Sequence, residues 1–371
     1  MLAEFYFPNK LSAKRLDKYL AAGWFRSIAG MAKFKMIEIT GMAHSVINIR
    51  SKLTDCQFSK SLRKISRTHK EVFSFEIKPI DIDVEKERLY RQHHNRFEGF
   101  VAESLEQFME GSLSNKRIFN TYEVCVYHHK KLVACSFFDL AANSLASILG
   151  IYDQTYHKYS LGLFTMLLEM EFGIEQNKKF YYPGYVLHQN PIFDYKLRLP
   201  NLQYFNWRTK WKDLSTLKNE IWLEPELQYG IEQISEALKQ ASIPHQLFWY
   251  PYFGLGYGKH TSARNLRGIV HWVCYPQAPL ADNRFVVEWL IDEKTYRLGV
   301  AHRVIFYQFY SNLLKVKSEL VCDVPLFFEN IILESQNAAE IISSIHEHHA
   351  NHNVFDKERS IRKVKAQKLK S

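Results

Sequence analysis

The sequence has few of the features that build disulfide-stabilised or membrane-spanning proteins. Its five cysteines lie far apart and form no Cys-x-x-Cys pair: Cys56, Cys125, Cys135, Cys274 and Cys322. An odd number at this spacing argues against a disulfide framework and favours free thiols in a reducing compartment. No segment reaches the roughly 18 apolar residues of a membrane span, and basic residues interrupt the region after Met1 where a signal peptide would lie. We therefore expect a cytoplasmic protein.

Internal repeats and low-complexity linkers are also absent. With 371 residues, the chain is long enough for roughly two domains of about 100–200 residues each, and its hydrophobic content of 46% is enough for a substantial core. Changes in residue pattern therefore have to mark the boundaries. We predict a small N-terminal domain at 1–80, an α/β domain at 81–213, a C-terminal extension at 214–355 and a disordered basic tail at 356–371.

Acidic residues are in deficit. The 49 Lys and Arg outnumber the 39 Asp and Glu, which gives a formal net charge of +10. Such a surface favours a polyanionic partner such as RNA, DNA or an anionic membrane surface. Half of the excess lies between Asp356 and Ser371, where seven basic residues accompany two acidic ones. A solvated tail explains that half equally well.

The order of the hydrophobic patterns between residues 85 and 185 predicts the fold. A helical pattern over Glu85–Met109 precedes three strand patterns, at Thr121–His128, Leu132–Leu140 and Ser144–Tyr152, then a helix at about His157–Asn177 and a strand at Lys178–Tyr185. This order is typical of an N-acetyltransferase-like α+β or α/β fold, a mixed sheet flanked by helices. In that fold two strands splay apart, and the acyl donor enters the gap at the N-terminus of the intervening helix.

The last third of the chain gives a weaker pattern. Helical runs at Glu224–Gln240 and Tyr296–Leu313 alternate with strand-like runs at Gly268–Tyr275 and Arg284–Ile291. The alternation fits either an additional domain or an extension of the first sheet.

Four short motifs around the predicted helix carry a resemblance to a known family. They are Tyr152-Asp153, Tyr159-Ser160-Leu161-Gly162, Gly184-Tyr185 and Tyr195-Lys196. In this order and spacing the chain resembles the arginyl-tRNA–protein transferases, and the N-terminal pieces 23–27, 47–50 and 58–61 are similar too. The resemblance covers about residues 15–212. It implies transfer of arginine from charged tRNA to the N-terminal amine of acceptor proteins, with no cofactor and no membrane partner.

The chain departs from the family in its N-terminal domain. Where the family carries a cysteine cluster associated with a metal or iron–sulfur centre, this sequence reads Thr40-Gly41-Met42-Ala43-His44-Ser45. Soft-metal and iron–sulfur sites need thiolates, and His44 alone does not supply one. We therefore predict no metal there.

Residues around the strand ends are the candidates for the reaction site. Ser160, Gly162 and Gly184 would let backbone N–H groups approach the donor. Asp153 would either pair with the arginine side chain, act as a base, or simply cap a turn. Tyr185 and Tyr195 would donate to the carbonyl, stack on the terminal adenine, or pack in the core.

Basic residues supply a candidate track for tRNA. Lys196 is expected at the donor and Arg198 at phosphates. A second patch comprises Arg50, Lys60, Arg63, Lys64 and Arg67. If residues 60–67 are helical, their four basic side chains share one face through i, i+3, i+4 and i+7 spacing. A solvated charged face is the alternative interpretation.

Two other patterns are weaker. Residues 253–259 contain three glycines and Lys259 but lack the spacing of a phosphate-binding loop. The histidines at 346, 348, 349 and 352 include one i, i+4 pair but no accompanying ligand set.

Two other functions stay open. One is a non-catalytic relative that binds tRNA or protein N-termini. The other is an N-acyltransferase that uses a small acyl donor, although residues 156–162 lack the second glycine of a pyrophosphate loop.

Overall fold

The computed structural model describes residues 1–27, 30–39, 41–96, 99–110, 118–208, 210–257, 262–275, 284–303, 314–315 and 318–349. The predicted basic tail at 356–371 and the residues Thr40, Lys259 and His352 lie outside these segments. The chain divides into two compact units, Met1–Trp222 with Asn312–Lys317, and Leu223–Ser311 with Ser318–Ser371. No helix within the described segments is long and apolar enough to cross a bilayer.

The first unit begins with a small three-stranded sheet. Strands β1 (Ala3–Tyr6), β2 (Phe25–Ser27) and β3 (Gly30–Phe34) pair in the order β1-β3-β2, and helix α1 (Ala13–Ala21) connects the first two. The Ser12 side chain accepts a hydrogen bond from the Arg15 N–H and so caps α1. Such a cap satisfies one of the free amides in the first helical turn.

Seven further elements precede the central strands. They are β4 (Met36–Ile39), β5 (Met42–Lys52), α2 (Lys60–Val72), β6 (Ser74–Pro79), α3 (Val84–His94), β7 (Gly99–Phe100) and α4 (Leu105–Glu110). The helical pattern predicted at 85–109 therefore forms two helices, α3 and α4, and the short strand β7 lies between them.

The central strands form the predicted meander. β8 (Thr121–His128), β9 (Lys131–Leu140) and β10 (Ser144–Tyr152) are consecutive antiparallel neighbours. Helix α5 (Leu161–Glu175) then crosses to β11 (Phe180–Leu187), which runs parallel to β10. This order of meander, helix and parallel strand confirms the predicted N-acetyltransferase-like fold.

Strands β10 and β11 separate soon after they meet. Their pairing covers only Ser144–Ala146 of β10. Immediately afterwards β10 has a register shift at Ser147, and β11 has one that ends at Gly184. Irregularities of this kind bend a strand, so the remaining halves diverge and leave a gap at the carboxyl end of β10. We call this gap the cleft.

The sheet continues beyond β11 with strands from both predicted N-terminal domains. β5 pairs with β11, β12 (Leu202–Asn206) pairs with β5, and β13 (Lys210–Asp213) pairs with β12. The full order is β13-β12-β5-β11-β10-β9-β8-β6, with β4 attached to β5. Residues 1–80 and 81–213 thus contribute to one sheet, and the sheet has no break at the boundary predicted at residue 80.

Helices cover both faces of this sheet. Helix α5 packs on β8, β9, β10 and β11, and α2 packs on α5, whereas α3 lies against β9 and β10. Because successive strand residues point to opposite faces, β9 contributes Phe138 to the core around α5 and Phe137 to the core shared with α3. Helix α5 is therefore held between the sheet and α2, which fixes the position of its N-terminus.

The second unit is built on a separate antiparallel sheet. Helix α6 (Glu224–Gln240) forms as predicted. The strands β14 (His245–Trp249), β15 (Val270–Cys274), β16 (Arg284–Leu290), β17 (Thr295–Arg303) and β19 (Leu326–Ser335) follow each other in that order across the sheet. The two-residue strand β18 (Leu314–Lys315) belongs to the first unit, where it pairs with β7. Residues 338–349 are helical.

The helix predicted over Tyr296–Leu313 is wrong in its described part, because residues 295–303 form β17. Hydrogen bonding to β16 on one side and β19 on the other outweighs the helix-like spacing of the apolar residues. Gly299 permits the close approach of β19: an added Cβ would lie 2.4 Å from the Phe328 ring and 2.5 Å from the Asn330 carbonyl oxygen.

Candidate active site

The N-terminus of α5 is open. Ser160 precedes it in the left-handed region, with φ of 49°, and its side chain makes no capping hydrogen bond. A 3₁₀ turn, Gln154–Tyr159, leads into this point, and Nε2 of His69 lies 2.6 Å from the Tyr159 carbonyl oxygen. Within the described segments, the amide N–H groups of Leu161 and Gly162 donate to no protein acceptor.

Gly162 leaves these amides uncovered. A Cβ added at this position would meet nothing within 4 Å. Free N–H groups at a helix N-terminus carry the positive end of the helix dipole and bind anions or polarised oxygens. Donor binding by Ser160 and Gly162 stays a prediction, and the structure places both residues at this open helix N-terminus.

Lys196 lies beside β11 and is held there by its surroundings. It belongs to the 3₁₀ segment Pro191–Arg198, which follows β11. Its Nζ donates to the Tyr185 carbonyl oxygen at 3.1 Å and lies over the rings of Phe193, at 4.6 Å, and Tyr185, at 5.5 Å. Among the described residues no carboxylate forms an ion pair with Lys196. Burial lowers the pKa of Lys196 to about 8, so the ammonium is easily deprotonated.

Gly184 and Tyr185 are brought together with Lys196. Gly184 has φ of +91°, a conformation that favours glycine, and a Cβ there would lie 3.4 Å from the lysine Nζ. The Tyr185 ring packs between Phe25 and Phe193 at centroid distances of 5.3 Å each. Burial raises the pKa of Tyr185 to about 12. Tyr185 is therefore a neutral side chain that packs beneath the lysine.

Tyr195 is more exposed than Tyr185. It is one of three apolar or aromatic side chains that the 191–198 segment leaves largely uncovered, with Ile192 and Leu197. Burial of its hydroxyl end raises the pKa of Tyr195 to about 12, with smaller contributions from Glu169 and Tyr152. The ring thus lies at the cleft, within electrostatic reach of one residue of α5 and one at the end of β10.

Asp153 has other partners than those predicted. Its Oδ1 accepts hydrogen bonds from the N–H and the hydroxyl of Thr155, and its Oδ2 lies 2.7 Å from Nζ of Lys131. Burial acts to raise the pKa of Asp153, but these contacts outweigh it and the pKa is lowered. Asp153 therefore caps the 3₁₀ turn and pairs with a lysine, and no hydrogen bond or ion pair joins it to Lys196 or Gly162 in the described part of the chain.

The predicted basic helix forms, without Arg50. Helix α2 begins at Lys60, and its exposed face carries Lys60, Arg63, Lys64 and Arg67. We call these four residues the basic stripe. No carboxylate pairs with them in the described segments. The buried side of α2 is tied to α5, where Ser66 donates to Glu171 at 2.8 Å.

Arg50 lies elsewhere and is already occupied. Its guanidinium stacks over the rings of Phe180, at 3.9 Å, and Trp211, at 4.4 Å, and its Nε donates to Gln203 at 2.9 Å. Strand β5 places it among the neighbouring strands of the sheet. Because its guanidinium already has these partners, Arg50 is not included in the proposed tRNA-binding surface. Arg198 is exposed at the end of the 191–198 segment.

The sequence reasoning missed Glu169. This residue of α5 is 0% exposed. Its Oε1 accepts from Ser136 at 2.6 Å and its Oε2 from Tyr181 at 2.8 Å. Burial raises the pKa of Glu169 to about 7, although the hydrogen bonds from Ser136 and Tyr181 act in the opposite direction. An isolated acidic residue in the apolar run Met166–Met170 was a signal that could have identified it.

One buried group of potential metal ligands is present in the described part of the chain: Glu123, Cys125 and Cys135. Its chemistry does not suit a metal ion. Nζ of Lys86 lies 2.9 Å from the Glu123 carboxylate and already compensates its charge, and burial raises the pKa of the Cys135 thiol. Thiolate ligands are therefore disfavoured.

In their described residues, the two weaker sequence patterns form no site. His349 stacks on Tyr275 at 3.8 Å, and His348 contacts the Ser344 carbonyl oxygen at 3.0 Å. Gly254 and Gly256 lie buried in the 3₁₀ turn Pro251–Tyr257.

Comparison with known proteins gives a consistent result for the first unit. Residues 85–206 match the family described as arginine-tRNA-protein transferase, C terminus. Aspartate/glutamate leucyltransferase of Leptospira interrogans is 32% identical over 120 residues, which are 31% of this chain and 47% of that relative. Arginyl-tRNA–protein transferase 1 of Saccharomyces cerevisiae is 32% identical over 72 residues, 19% of this chain and 14% of that relative. The chain thus spans less than half of each of these relatives.

Solved structures resemble the chain only loosely. The structure of L-PGS from Bacillus licheniformis aligns with a TM-score of 0.33 and 15% identity, and the alignment covers 47% of this chain and 50% of that one. A similarity at this level supports no conclusion about function.

Proposed function

We infer, from the match of residues 85–206 to the family described as arginine-tRNA-protein transferase, C terminus, that this chain transfers an aminoacyl group from a charged tRNA to the N-terminal amine of an acceptor protein. The observation that carries the proposal is that the matched residues contain the whole cleft. Strands β10 and β11, the uncovered N-terminus of α5 and the unpaired Lys196 all lie within 85–206.

The reaction would be the aminolysis of an ester. The acceptor α-amine attacks the carbonyl carbon that joins the amino acid to the tRNA 3′ end, the carbon–oxygen bond breaks, and the tRNA leaves as an alcohol. Because this ester is already activated, positioning, proton transfer and stabilisation of the oxyanion are sufficient. The free amides of Leu161 and Gly162 suit the oxyanion, and the Lys196 ammonium suits a nearby phosphate or the developing negative charge.

The charged side chains near the cleft help to choose between a charged and an uncharged donor amino acid. Arginine was expected to pair with Asp153, whose carboxylate is occupied by Lys131 and Thr155. An unpaired lysine in the same cleft disfavours a second cation. The exposed Ile192 and Leu197 offer apolar contact instead. We therefore propose an uncharged aliphatic donor, such as leucine, over arginine.

Transfer assays with two donors test this proposal. The protein would be mixed with tRNA charged with labelled leucine or labelled arginine, and with a peptide that begins with Asp or Glu. We expect label on the peptide from leucyl-tRNA, and at most weak labelling from arginyl-tRNA. Label from arginyl-tRNA alone would overturn the donor assignment. Binding of charged tRNA without transfer from either donor would identify a non-catalytic relative, and acetylation of the peptide from acetyl-CoA alone would place the chain with small-donor acyltransferases.

The basic stripe is proposed to bind the phosphates of the tRNA. Replacing all four of its residues by glutamine is expected to weaken tRNA binding at low salt. Each lost phosphate contact should reduce the slope of log affinity against log salt by about 0.7–0.9. The rate at saturating tRNA should change little, because in the described segments none of the four side chains forms a hydrogen bond or ion pair with a residue of the cleft. Filter binding across a salt series, with transfer rates in parallel, measures both.

A charge-matched control distinguishes the effect of the basic stripe from the effect of the protein's net charge. Four exposed lysines of the same unit can be replaced by glutamine instead: Lys10, Lys14, Lys18 and Lys179. Equal loss of tRNA affinity in the two variants would show that only the overall charge matters and that the basic stripe is not a binding surface.

A further inference from the structure

Ser160 has an unusual conformation for a serine that begins a helix. A serine in this place ordinarily has an extended backbone, and its hydroxyl accepts a hydrogen bond from the second or third amide of the helix. Here the backbone of Ser160 is left-handed, with φ of 49° and ψ of 46°, and its side chain makes no capping hydrogen bond to α5. Because this region is unfavourable for residues other than glycine, a contact elsewhere has to hold the chain in it.

The missing cap is what leaves the first turn of α5 open. An ordinary cap would bind the N–H of Gly162 or of Leu163, the second and third residues of the helix. Leu163 already donates to the Ser160 carbonyl oxygen at 2.9 Å, so Gly162 is the amide that a cap would take. The same amide is one of the two that suit the oxyanion in the proposed reaction.

His69 of α2 makes the contact that fixes this point of the chain. Because a carbonyl oxygen only accepts, the 2.6 Å contact assigns the proton of His69 to Nε2, which donates to the Tyr159 carbonyl oxygen. Tyr159 directly precedes Ser160, so the bond fixes the orientation of the peptide group that joins the two residues. We call this hydrogen bond the clamp.

Aromatic packing holds the His69 ring in place. Its centroid lies 5.1 Å from the ring of Phe164 in α5 and 5.9 Å from that of Phe73 at the end of α2. Phe73 also packs edge-on against the Tyr159 ring at 5.1 Å, and both phenylalanines are buried. The end of α2 therefore contacts the turn before α5 through a hydrogen bond and through its rings.

We propose that His69 is a positioning residue, which holds the Tyr159 carbonyl, prevents Ser160 from capping α5 and so keeps the Gly162 amide free for the donor ester. The inference rests on the proposed function. It gives α2 a second role beside the basic stripe, because His69 contacts α5 whereas the stripe lies on the exposed face of the same helix.

The effect of His69→Leu on transfer, measured in two backgrounds, tests the clamp. Leucine keeps apolar packing but donates no hydrogen bond, so Ser160 should cap Gly162 and kcat should fall about 100-fold, as for the loss of one oxyanion-binding group. In a Ser160→Gly background the same substitution should change kcat by at most about threefold, because glycine adopts the left-handed conformation unaided and has no hydroxyl for a cap.

Further variants separate the clamp from other roles of His69. His69→Gln retains a donor for the carbonyl and should keep most of the rate, whereas His69→Met, which also lacks a donor, is the alternative if leucine disturbs folding. The affinity for charged tRNA and its salt slope should stay at the wild-type values in His69→Leu, unlike in the variant without the basic stripe.

Two substitutions serve as matched controls. His245→Leu removes a comparable contact in the second unit, between a histidine ring nitrogen and the Ile243 carbonyl oxygen at 2.8 Å, and should leave kcat unchanged. Asn177→Gly replaces another left-handed residue, with φ of 54°, just beyond the other end of α5. It should not restore transfer to His69→Leu.

Amide hydrogen exchange at Gly162 tests the clamp without any substrate. In the wild-type protein this amide should exchange rapidly, because it has no protein acceptor within the described segments. In His69→Leu the new cap should slow its exchange about tenfold, and the added Ser160→Gly should restore the fast rate.

The possible outcomes distinguish the clamp from the proposed function. In an active protein, unchanged exchange at Gly162 in His69→Leu overturns the clamp. An equal loss of kcat from His69→Leu in the wild-type and Ser160→Gly backgrounds also overturns it. A wild type that transfers nothing from any charged tRNA overturns the proposed function, and the role of the clamp in transfer with it, even if exchange at Gly162 responds as expected.

Discussion

Gly162→Leu is expected to lower aminoacyl transfer about 100-fold without destabilising the protein. The reason for the loss is that a leucine side chain at the first turn of α5 would cover the free amides of Leu161 and Gly162, and removal of one oxyanion-binding group costs about 100- to 1,000-fold in rate. The fold should tolerate the change, because a Cβ there meets nothing within 4 Å. Leucine also has a higher helix propensity than glycine, by roughly 0.5–1 kcal/mol. Transfer kinetics and thermal unfolding measure the two effects separately.

A second glycine of the same helix provides the contrast. At Gly173 an added Cβ would lie 2.6 Å and 2.9 Å from the side chains of Leu145 and Leu53. Gly173→Val should therefore cost roughly 1–3 kcal/mol of stability by overpacking the core, while transfer per folded molecule stays near the wild-type rate. Normal transfer by Gly162→Leu would show that the helix N-terminus is not part of the site.

Lys196→Met is expected to reduce transfer by about 100-fold, on the scale of losing a preorganised charge in a catalytic cleft. The same substitution should leave the melting temperature unchanged or raise it. The sign follows from the pKa, because burial lowers the pKa of Lys196 from 10.5 to about 8. Below pH 8 the folded protein therefore holds a buried ammonium that is less stable than the same group in the unfolded chain, and this lowers the free energy of unfolding. The penalty decreases as the pH rises from about 8 to 10.5. Replacing the lysine by methionine removes the penalty.

The pH dependence of transfer tests whether the protonated, charged form of Lys196 is the active one. In the wild-type protein, transfer should fall as the pH rises above about 8 and Lys196 loses its proton. Lys196→Met should lack this fall, and Lys196→Arg should move it beyond the measurable range while restoring part of the rate. Lys179→Met, an exposed lysine at the other end of β11, serves as the charge-matched control. A Lys196→Met variant with wild-type kcat would remove Lys196 from the site.

Patterns of local sequence were sufficient to predict the central strands and the helix of the first unit. The strand predicted at Ser144–Tyr152 has the same bounds as β10, and the helix predicted near His157–Asn177 contains α5. The helix forms several residues later than predicted, because Asp153 caps a 3₁₀ turn before it. The helix predicted at 296–313, whose described residues 296–303 form a strand, shows the limit: whether Tyr296 and Leu298 belong to a helix or a strand depends on partner strands that the local pattern does not reveal.

The candidate site also contains residues that the sequence predicted and residues that it did not. Gly162, Gly184, Tyr185 and Lys196 were identifiable because they belong to motifs with fixed spacing. The partners of charged side chains were not, because Lys131 reaches Asp153 and Trp211 reaches Arg50 only after the chain has folded. Glu169 was missed for a related reason: a buried carboxylate acquires its character from desolvation, which no local pattern records.

The place of β5 in the sheet has a consequence for how the protein is made. β5 ends at Lys52. Its first residues, Met42–Ser45, pair with the preceding strand β4, whereas the rest of β5 pairs with β11, which begins at Phe180, and β12, which begins at Leu202. During synthesis the buried side chains of Ile47 and Ile49 therefore lack both of these partner strands until more than half of the chain has been made. Pairing over such sequence separations is slow and exposes strand edges to aggregation. The second half of β5 thus keeps unpaired edges until residue 206 has emerged.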